Sequence, residues 1–358
     1  MSTGNPNTTP NKVYKVLFLT ARSPHHQQAA IDAAPAELAV TMLRTPDRTT
    51  LLERLPEFDF LITERHGVID AAMIAAGQKL QLIQRLGSLA FDIDVAAAQR
   101  QGIPVCTWPI EGCILVAEHM VMQLLAVAKR LPEVQAIATQ AGDWERPSRR
   151  TDENTFAYNW SRRTDIGGLY QKRIGILGFG EIGAELARRL RGFAPQKILY
   201  HKRSQLPAAL EADLGITYAT HDEIITQSDF LCSLLPFYPE TEMSLNKSIF
   251  GRMKPGAALV SCGSGSIIQE SDLAAALQTR QLAGAALDTF EWEPLPPGNP
   301  LVQLAHDQQS NLLLTPHTAA GALPKGQTGS RKDDYTNIMR LLKGQPLLYP
   351  AAPQKSLG

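Results

Sequence analysis

Arg173-Ile-Gly-Ile-Leu-Gly-Phe-Gly-Glu-Ile-Gly183 is the stretch that decides the fold. Ile174, Ile176 and Leu177 read as a buried strand, and an amphipathic run over residues 182–191 reads as a helix. Between them stand Gly178, Gly180 and Gly183 in the spacing Gly-x-Gly-x-x-Gly. A strand, this turn and a helix make a dinucleotide phosphate site. The first glycine allows the tight turn, the second lets backbone approach a pyrophosphate, and the third lets the helix pack closely. The free N–H groups and positive dipole end of the helix then face the phosphates. A bare Gly-x-Gly-x-x-Gly also arises by chance in Gly-rich loops; the strand before this one and the helix after it select the nucleotide reading.

Outward from that turn, the chain alternates strand and helix. Downstream, strands are predicted at residues 173–177, 197–201, 230–235, 257–262, 284–288 and 312–315. Helices are predicted at residues 182–191, 208–214, 247–253 and 270–279, with an amphipathic helix at 333–342 in the tail. Upstream, strands at 13–19, 58–62, 81–85 and 103–106 and helices at 35–43 and 94–101 form a second α/β unit without a Gly-rich loop. Such alternation means parallel sheets covered on both faces. A long helix near residues 115–131 is apolar on most faces and is expected to be buried between layers or domains. The segment 143–168 is polar, rich in Arg, Asp, Thr and Asn, and carries Trp144 and Trp160. A loop of that length in a compact protein is usually functional or an interface.

The bulk numbers bound the function. A chain of 358 residues suggests two domains. Net charge is zero, which gives no reason to expect nucleic acid or an anionic membrane as partner. Apolar runs such as 120–128 are too short to span a bilayer, and the polar, Asn/Thr/Pro-rich residues 1–12 read as a disordered start rather than a signal peptide. Cys106, Cys113, Cys232 and Cys262 form no Cys-x-x-Cys pair; free thiols in a reducing cytoplasm are expected. No His spacing suits a metal.

The end of the second nucleotide-domain strand chooses the cofactor. An acidic residue there takes the adenosine ribose and favours NAD, whereas a basic one accommodates the extra phosphate of NADP. Here the strand ends Tyr200-His201-Lys202-Arg203-Ser204, with no Asp or Glu. The planar fork of Arg203 suits a phosphate and Lys202 adds charge, so the sequence favours NADP over NAD.

Several motifs taken together resemble the D-isomer-specific 2-hydroxyacid dehydrogenase family. They are Val116-Ala-Glu-His119, the turn at Gly178–Gly183, Leu235-Pro236-x-x-Pro-Glu-Thr241, Met253-Lys-Pro-Gly256, Leu282-Ala-Gly-Ala-Ala-Leu-Asp288, Glu293-Pro294 and Thr315-Pro-His317. The resemblance covers nearly the whole chain. It implies an α/β protein of two Rossmann-like, doubly wound parallel-sheet domains, the nucleotide domain inserted into the substrate domain. The substrate domain would comprise residues 1–112 and 319–358, the nucleotide domain 113–318, and the active site would be the cleft between them. A homodimer is implied, built through the long helix and the polar segment after it.

By the same resemblance, His317 is the proton donor to a substrate carbonyl and Glu293 its partner. A neighbouring carboxylate raises an imidazole pKa and fixes its tautomer. Asp288 matches a position that contacts the nicotinamide carboxamide. Gly178, Phe179, Gly180, Glu181, Ile182, Gly183, Lys202, Arg203, Leu235, Pro236, Cys262, Gly263 and Asp288 would line the nucleotide, and Ser88, Leu89 and Ala90 the substrate.

Two departures from the family pattern fall on substrate recognition. A family Arg that binds the substrate carboxylate, in Asn/Thr-x-x-Arg-Gly, is matched here by Ser264 in Val260-Ser-Cys-Gly-Ser-Gly-Ser266. A family Gly-x-Gly substrate loop is matched by Gly87-Ser88-Leu89-Ala90, with Leu89 at the second glycine. Three readings follow: an oxidoreductase with an unusual carbonyl substrate; a replacement cation from Arg146, Arg149, Arg150, Arg162 or Arg163; or a dinucleotide-dependent binding or regulatory protein with impaired catalysis. Retention of His317 and Glu293 favours an enzyme, with Ser264 bonding substrate or cofactor. Trp108 and Trp292 would help shape the pocket.

Overall fold

The computed structural model describes residues 12–64, 67–139, 148–156, 158–307, 310–321 and 331–352. It divides into two units, one of residues 1–111 with 322–358 and one of residues 112–321. Residues 1–11 of the proposed disordered start, Trp144 and Arg146 lie outside the described residues.

The first unit contains β1 (Tyr14–Thr20), α1 (Pro24–Asp32), β2 (Leu38–Arg44), α2 (Arg48–Arg54), β3 (Phe60–Glu64), α3 (Ala71–Ala76), β4 (Leu82–Leu86), α4 (Val95–Arg100) and β5 (Val105–Trp108). Its five strands run parallel in the order β2-β1-β3-β4-β5. Burial on both faces follows from alternation along β1. Val16 and Phe18 enter one core cluster with Tyr335 and Ile338, whereas Leu17 and Leu19 enter another with Leu51, Leu55 and Ile74. Asp47, Asp70 and Asp94 each accept a backbone N–H at the start of α2, α3 and α4, which satisfies donors the helix itself cannot.

One sequence expectation fails here. Residues 35–43 hold good helix formers, Ala36, Glu37, Leu38 and Ala39, yet residues 38–43 belong to the edge strand β2. Leu38, Val40 and Met42 alternate onto one core cluster and Leu43 onto the other. Pairing along the whole of β1 outweighs a helix propensity worth a few tenths of a kcal/mol per residue. The helix of this crossover is α1, begun by Pro24 at its first turn.

The second unit opens with α5 (Glu111–Ala128) and α6 (Leu131–Thr139), separated by Arg130 in a left-handed conformation at φ +50°. The single helix expected at 115–131 is therefore two. By length and composition the 18-residue α5 could cross a bilayer, contrary to the reading of its apolar run as too short. Its Ala117, Met120 and Leu124 are fully buried, as in a core helix.

Then follow β6 (Arg173–Leu177), α7 (Glu181–Leu190), β7 (Lys197–His201), α8 (Ala208–Leu214), β8 (Thr217–Tyr218), α9 (His221–Gln227) and β9 (Phe230–Ser233). After them come α10 (Lys247–Arg252), β10 (Ala257–Ser261), α11 (Glu270–Gln278), β11 (Leu282–Leu287), α12 (Pro300–Ala305) and β12 (Leu312–Leu314). The seven parallel strands take the order β12-β11-β10-β9-β6-β7-β8. The order reverses at β6, where β9 lies on one side and β7 on the other. In open parallel sheets that switch point, at the carboxyl ends of the strands, is where ligands bind.

The chain then returns to the first unit with α13 (Thr336–Leu342), preceded by a 3-10 turn over Arg331–Tyr335 in place of the helical start expected at 333. The Tyr335 hydroxyl donates to the Ala30 carbonyl, and Asn337 joins Gln84 and the Leu348 backbone. The tail then bonds to β5 through Thr107 N–H to Tyr349 O and Ala351 N–H to Val105 O, which covers the edge of that sheet.

Candidate active site

Within the second unit the Gly-rich turn joins β6 to α7. Gly178 has φ +90°, and a Cβ there would sit 2.7 Å from the Leu234 carbonyl carbon, so only glycine fits. Gly180 is the N-cap of the ten-residue α7, and a Cβ on it would meet nothing within 4 Å. The space above Gly180 is open, which is the cradle a pyrophosphate needs. Gly183 has a different reason from the one its spacing suggests. Its neighbour is the Phe179 ring, 3.0 Å from a built Cβ, rather than the strand. Phe179 in turn packs on Tyr200 with ring centroids 4.9 Å apart, so the turn is braced against β7. Glu181 and Ile182 form the first turn of α7.

At the end of β7, His201 and Lys202 are half-buried and Arg203 is exposed, with its guanidinium 5.5 Å from the centre of the Tyr238 ring. The His201 Nδ1 donates to the Ala219 carbonyl at 2.9 Å, and its ring lies 5.8 Å from that of His221. Burial, then the neighbouring His201, pulls the His221 imidazole below its usual range. Residues 200–204 include no Asp or Glu.

The strand ends of β9 and β10 carry the next part. Leu235 O accepts from Ser264 N–H at 2.9 Å, and a Cβ on Gly263 would come within 2.7 Å of that same oxygen. A Cβ on Gly265 would lie only 1.9 Å from the Phe290 carbonyl oxygen. The run Cys262-Gly-Ser-Gly265 is thus squeezed between two backbones, and Ser264 is the one side chain it can present beyond Cys262. Pro236 follows Leu235 on the loop beside it. Cys262 donates its S–H to Gln123 Oε1 at 3.3 Å; burial, then the charge of Asp288, pushes its thiol well above the usual range.

His317 and Glu293 meet directly. The His317 Nδ1 lies 2.7 Å from Glu293 Oε2, and the other carboxylate oxygen accepts from Phe290 N–H at 3.0 Å. An ionised carboxylate only accepts, so the proton of this bond sits on Nδ1 and leaves Nε2 for other work. The imidazole is 59% exposed, which makes it available to a ligand. Trp292, beside Glu293, is 66% exposed. Buried Glu270 accepts from Glu291 N–H at 3.1 Å and from Asn299, so it anchors the loop that carries Glu293.

Asp288 has a role the sequence did not disclose. Its side chain is buried and accepts from Thr315 Oγ1 at 2.7 Å, Thr318 N–H at 3.0 Å and Ala319 N–H at 2.9 Å. It clamps both ends of the arch on which His317 stands. His119 and Thr315 stand in segments that carry the family resemblance, but Gln123 has no sequence signal beyond lying one helical turn from His119.

Ser88, Leu89 and Ala90 lie in the first unit after β4. Leu89 is buried rather than open to solvent, and Gly87 exchanges backbone bonds with Trp108. Trp108 stacks edge-on with Tyr349, ring centroids 5.6 Å apart. Among the candidate replacement cations, Arg163 is committed to Glu133 and Asp165 in a network shared with Arg130. Arg149 and Arg150 are exposed.

Residues 121–319 match the D-isomer specific 2-hydroxyacid dehydrogenase, NAD binding domain. The chain is 29% identical over 320 residues to D-3-phosphoglycerate dehydrogenase of Synechocystis sp., covering 89% of this chain but 53% of that protein. It thus spans about half the length of that relative. With the glyoxylate reductase of Thermococcus litoralis it shares 30% identity over 303 residues, 84% of this chain and 86% of the relative. The crystal structure of PH0520 protein from Pyrococcus horikoshii OT3 superposes with a TM-score of 0.54 at 25% identity, covering 95% of this chain and 96% of that one. Motifs, sheet order and matched length converge, and the chain belongs to the D-isomer specific 2-hydroxyacid dehydrogenase family.

Proposed function

We propose that this protein is an NAD(P)-dependent oxidoreductase acting on a small 2-hydroxy or 2-keto acid or a related carbonyl. The observation that carries this reading is the His317–Glu293 pair, 2.7 Å apart, in the same unit as an open glycine cradle. A bound nicotinamide supplies or takes up the hydride at the carbonyl carbon. His317 does the rest of the bookkeeping: its Nε2 gives a proton to the carbonyl oxygen in reduction and takes it back in oxidation. Glu293 fixes the tautomer through Nδ1 and balances the imidazolium charge. Ser264 offers a hydroxyl where the family places a guanidinium, so it can bond a substrate oxygen but cannot neutralise a carboxylate. Backbone amides around Ser88, Leu89 and Ala90 are the proposed substrate loop.

NADP is the favoured nucleotide, on the strength of Lys202 and Arg203 and the lack of an acid beside them. Cys262, Gly263, Leu235 and Pro236 would line the nicotinamide end. Both oxygens of Asp288 are bonded to the arch, so its proposed contact with the carboxamide would be additional to that duty. We further propose a homodimer and, because the four cysteines include no Cys-x-x-Cys pair, a reducing cytoplasmic location.

The test is oxidation of NADPH and NADH by purified protein against glyoxylate, hydroxypyruvate and bulkier 2-keto acids. Turnover that is abolished by His317→Gln supports the reading. Tight nucleotide binding without turnover on any carbonyl would overturn it in favour of a dinucleotide-responsive binding protein, the role that Ser264 in place of arginine would then explain.

A further inference from the structure

The arch that bears His317 is held from below by side chains of α5. His119 and Gln123 are four residues apart and so share one face of that helix. The His119 Nε2 lies 3.0 Å from Thr315 Oγ1 and the Gln123 Nε2 lies 3.4 Å from it. The direction of each bond follows from chemistry. Two acceptors face the single Thr315 hydroxyl proton, Leu287 O at 3.3 Å and the Asp288 carboxylate Oδ1 at 2.7 Å, and the proton takes the shorter, charge-assisted bond to Asp288. The Thr315 oxygen must therefore accept from its other neighbours, and His119 carries its proton on Nε2. Gln123 donates through its amide and accepts the Cys262 S–H through its carbonyl. Every bond in this chain has one consistent sense, and it ends on Asp288.

Asp288 in turn holds Thr318 N–H and Ala319 N–H. His317 sits between these anchors at φ +52°, a left-handed backbone that is uncommon outside glycine, though histidine enters it more readily than most residues. Its N–H closes back on Thr315 O at 2.9 Å. The residues on both sides of His317 are thus tied to one buried carboxylate, and the orientation of that carboxylate is set by a threonine that two α5 side chains load with donors.

We propose that His119 and Gln123, acting through Thr315 and Asp288, are positioning residues that aim the His317 imidazole at Glu293 and at the reacting carbonyl. This rests on the role given to His317 above. It predicts a loss in the chemical step and not in nucleotide binding. A 1 Å misplacement of an aligned group typically costs on the order of 100-fold in rate; Thr315→Val and His119→Phe are expected to lower kcat roughly 10- to 100-fold, with the KM for nucleotide changed less than about twofold. Thr315→Ser, which keeps the hydroxyl, and His119→Gln, which keeps a donor, should restore most of that loss.

Imidazole 1H–15N spectra supply a readout that needs no substrate. The Nδ1–H of His317, bonded to Glu293 in an exposed ring, should give a downfield proton at low temperature and mildly acidic pH, where exchange with water is slow, and it is assigned by its disappearance in His317→Gln. It should broaden or vanish in Thr315→Val and His119→Phe and return in the two conservative variants. Persistence of that proton, with wild-type kcat on glyoxylate, in folded Thr315→Val and His119→Phe would overturn the proposal. Should Thr315→Val fail to fold, His119→Phe at its partly exposed site decides alone. Failure of the catalytic reading looks different: His317→Gln would itself turn over normally, whatever the spectra of the other variants.

Discussion

Replacing Gly178 and Gly180 one at a time by alanine separates what the turn needs in order to fold from what it needs in order to bind. At Gly178 two costs add. The backbone has φ +90°, and a left-handed conformation costs an L-residue about 1–2 kcal/mol. The new Cβ would also stand 2.7 Å from the Leu234 carbonyl carbon, against ordinary contact beginning near 3.4 Å, a shortfall of 0.7 Å against backbone that cannot rotate away. Overpacking of that kind costs typically about 1–3 kcal/mol. The total is about 2–5 kcal/mol, and at about 2–4 °C per kcal/mol for a domain of this size the melting temperature should fall by roughly 4–20 °C. At Gly180 neither cost applies: φ is −134° and nothing lies within 4 Å of a built Cβ. Alanine is a poorer N-cap than glycine but lowers the entropy of the unfolded chain, so Gly180→Ala should change stability by less than about 1 kcal/mol. What it fills is the path of the pyrophosphate to the N-terminus of α7. Losing one charge-assisted hydrogen bond costs about 1.5–3 kcal/mol, so the Kd for NADPH or NADH should weaken roughly 10- to 100-fold. The assay is fluorescence titration of both nucleotides beside thermal melting of both variants. Wild-type nucleotide affinity in a folded Gly180→Ala protein would refute the placement of the phosphates over this turn.

Ser264→Arg should raise kcat/KM on simple 2-keto acids by roughly 30- to 5,000-fold, the converse of the 2–5 kcal/mol lost when a buried charge loses its partner; steady-state kinetics on glyoxylate would expose the error if the ratio did not move. Exchanging Arg203 for aspartate should swing nucleotide preference from NADPH toward NADH, and an unchanged ratio of the two Kd values would remove the 2′-phosphate reading. In the first unit, burial would raise the Glu64 pKa, but Arg22 and Arg331 outweigh it and hold the carboxyl below its usual 4.5. The unfolded chain therefore binds more protons below that value. The stabilisation is present above about pH 4.5 and is lost as pH falls through the folded-state pKa. Glu64→Gln should melt lower at pH 7 by the equivalent of about 3–5 kcal/mol, since two arginines lose their buried partner, and should show a flatter acid limb. Parallel pH–melting curves for the two proteins would count against this.

How much of this could be read from the chain depended on whether a residue's role was local. The β6 turn and α7 were legible because strand, glycines and helix are contiguous and each obeys a local rule. β2 was not: Ala36, Glu37, Leu38 and Ala39, around its start, favour helix locally, and only pairing with β1 makes Leu38–Arg44 a strand. α6 does carry a sequence mark, since Lys129 and Arg130 interrupt the apolar pattern and Pro132 suits the first turn of a helix, but a helix placed at 115–131 runs through the break at Arg130. In the site, His317 and Glu293 stand 24 residues apart and no spacing rule joins them; the family resemblance supplied that pair. The contribution of Gln123 escaped sequence reading because a glutamine on an apolar helix carries no signal until its neighbours at Thr315 and Cys262 are known.

The squeeze around Ser264 explains why a departure from the family pattern is possible there at all. Gly263 and Gly265 are fixed by backbone: their added Cβ atoms would stand 2.7 Å from Leu235 O and 1.9 Å from Phe290 O. Between them Ser264 has an ordinary extended backbone, φ −72° and ψ 137°, open to any residue, and its N–H is already bonded to Leu235 O. Side-chain identity at this one position is therefore decoupled from folding, whereas its neighbours are not free to change. Gly265→Ala tests that asymmetry. The Cβ would have to retreat by more than 1 Å from a carbonyl oxygen, which no side-chain rotation can relieve, so a loss of at least about 3 kcal/mol is expected. Ser264→Ala, by contrast, should melt within about 0.5 kcal/mol of wild type. Equal melting temperatures for the two variants would mean that the loop relaxes without cost, and the substitution at 264 would then need a different explanation from the freedom of its backbone.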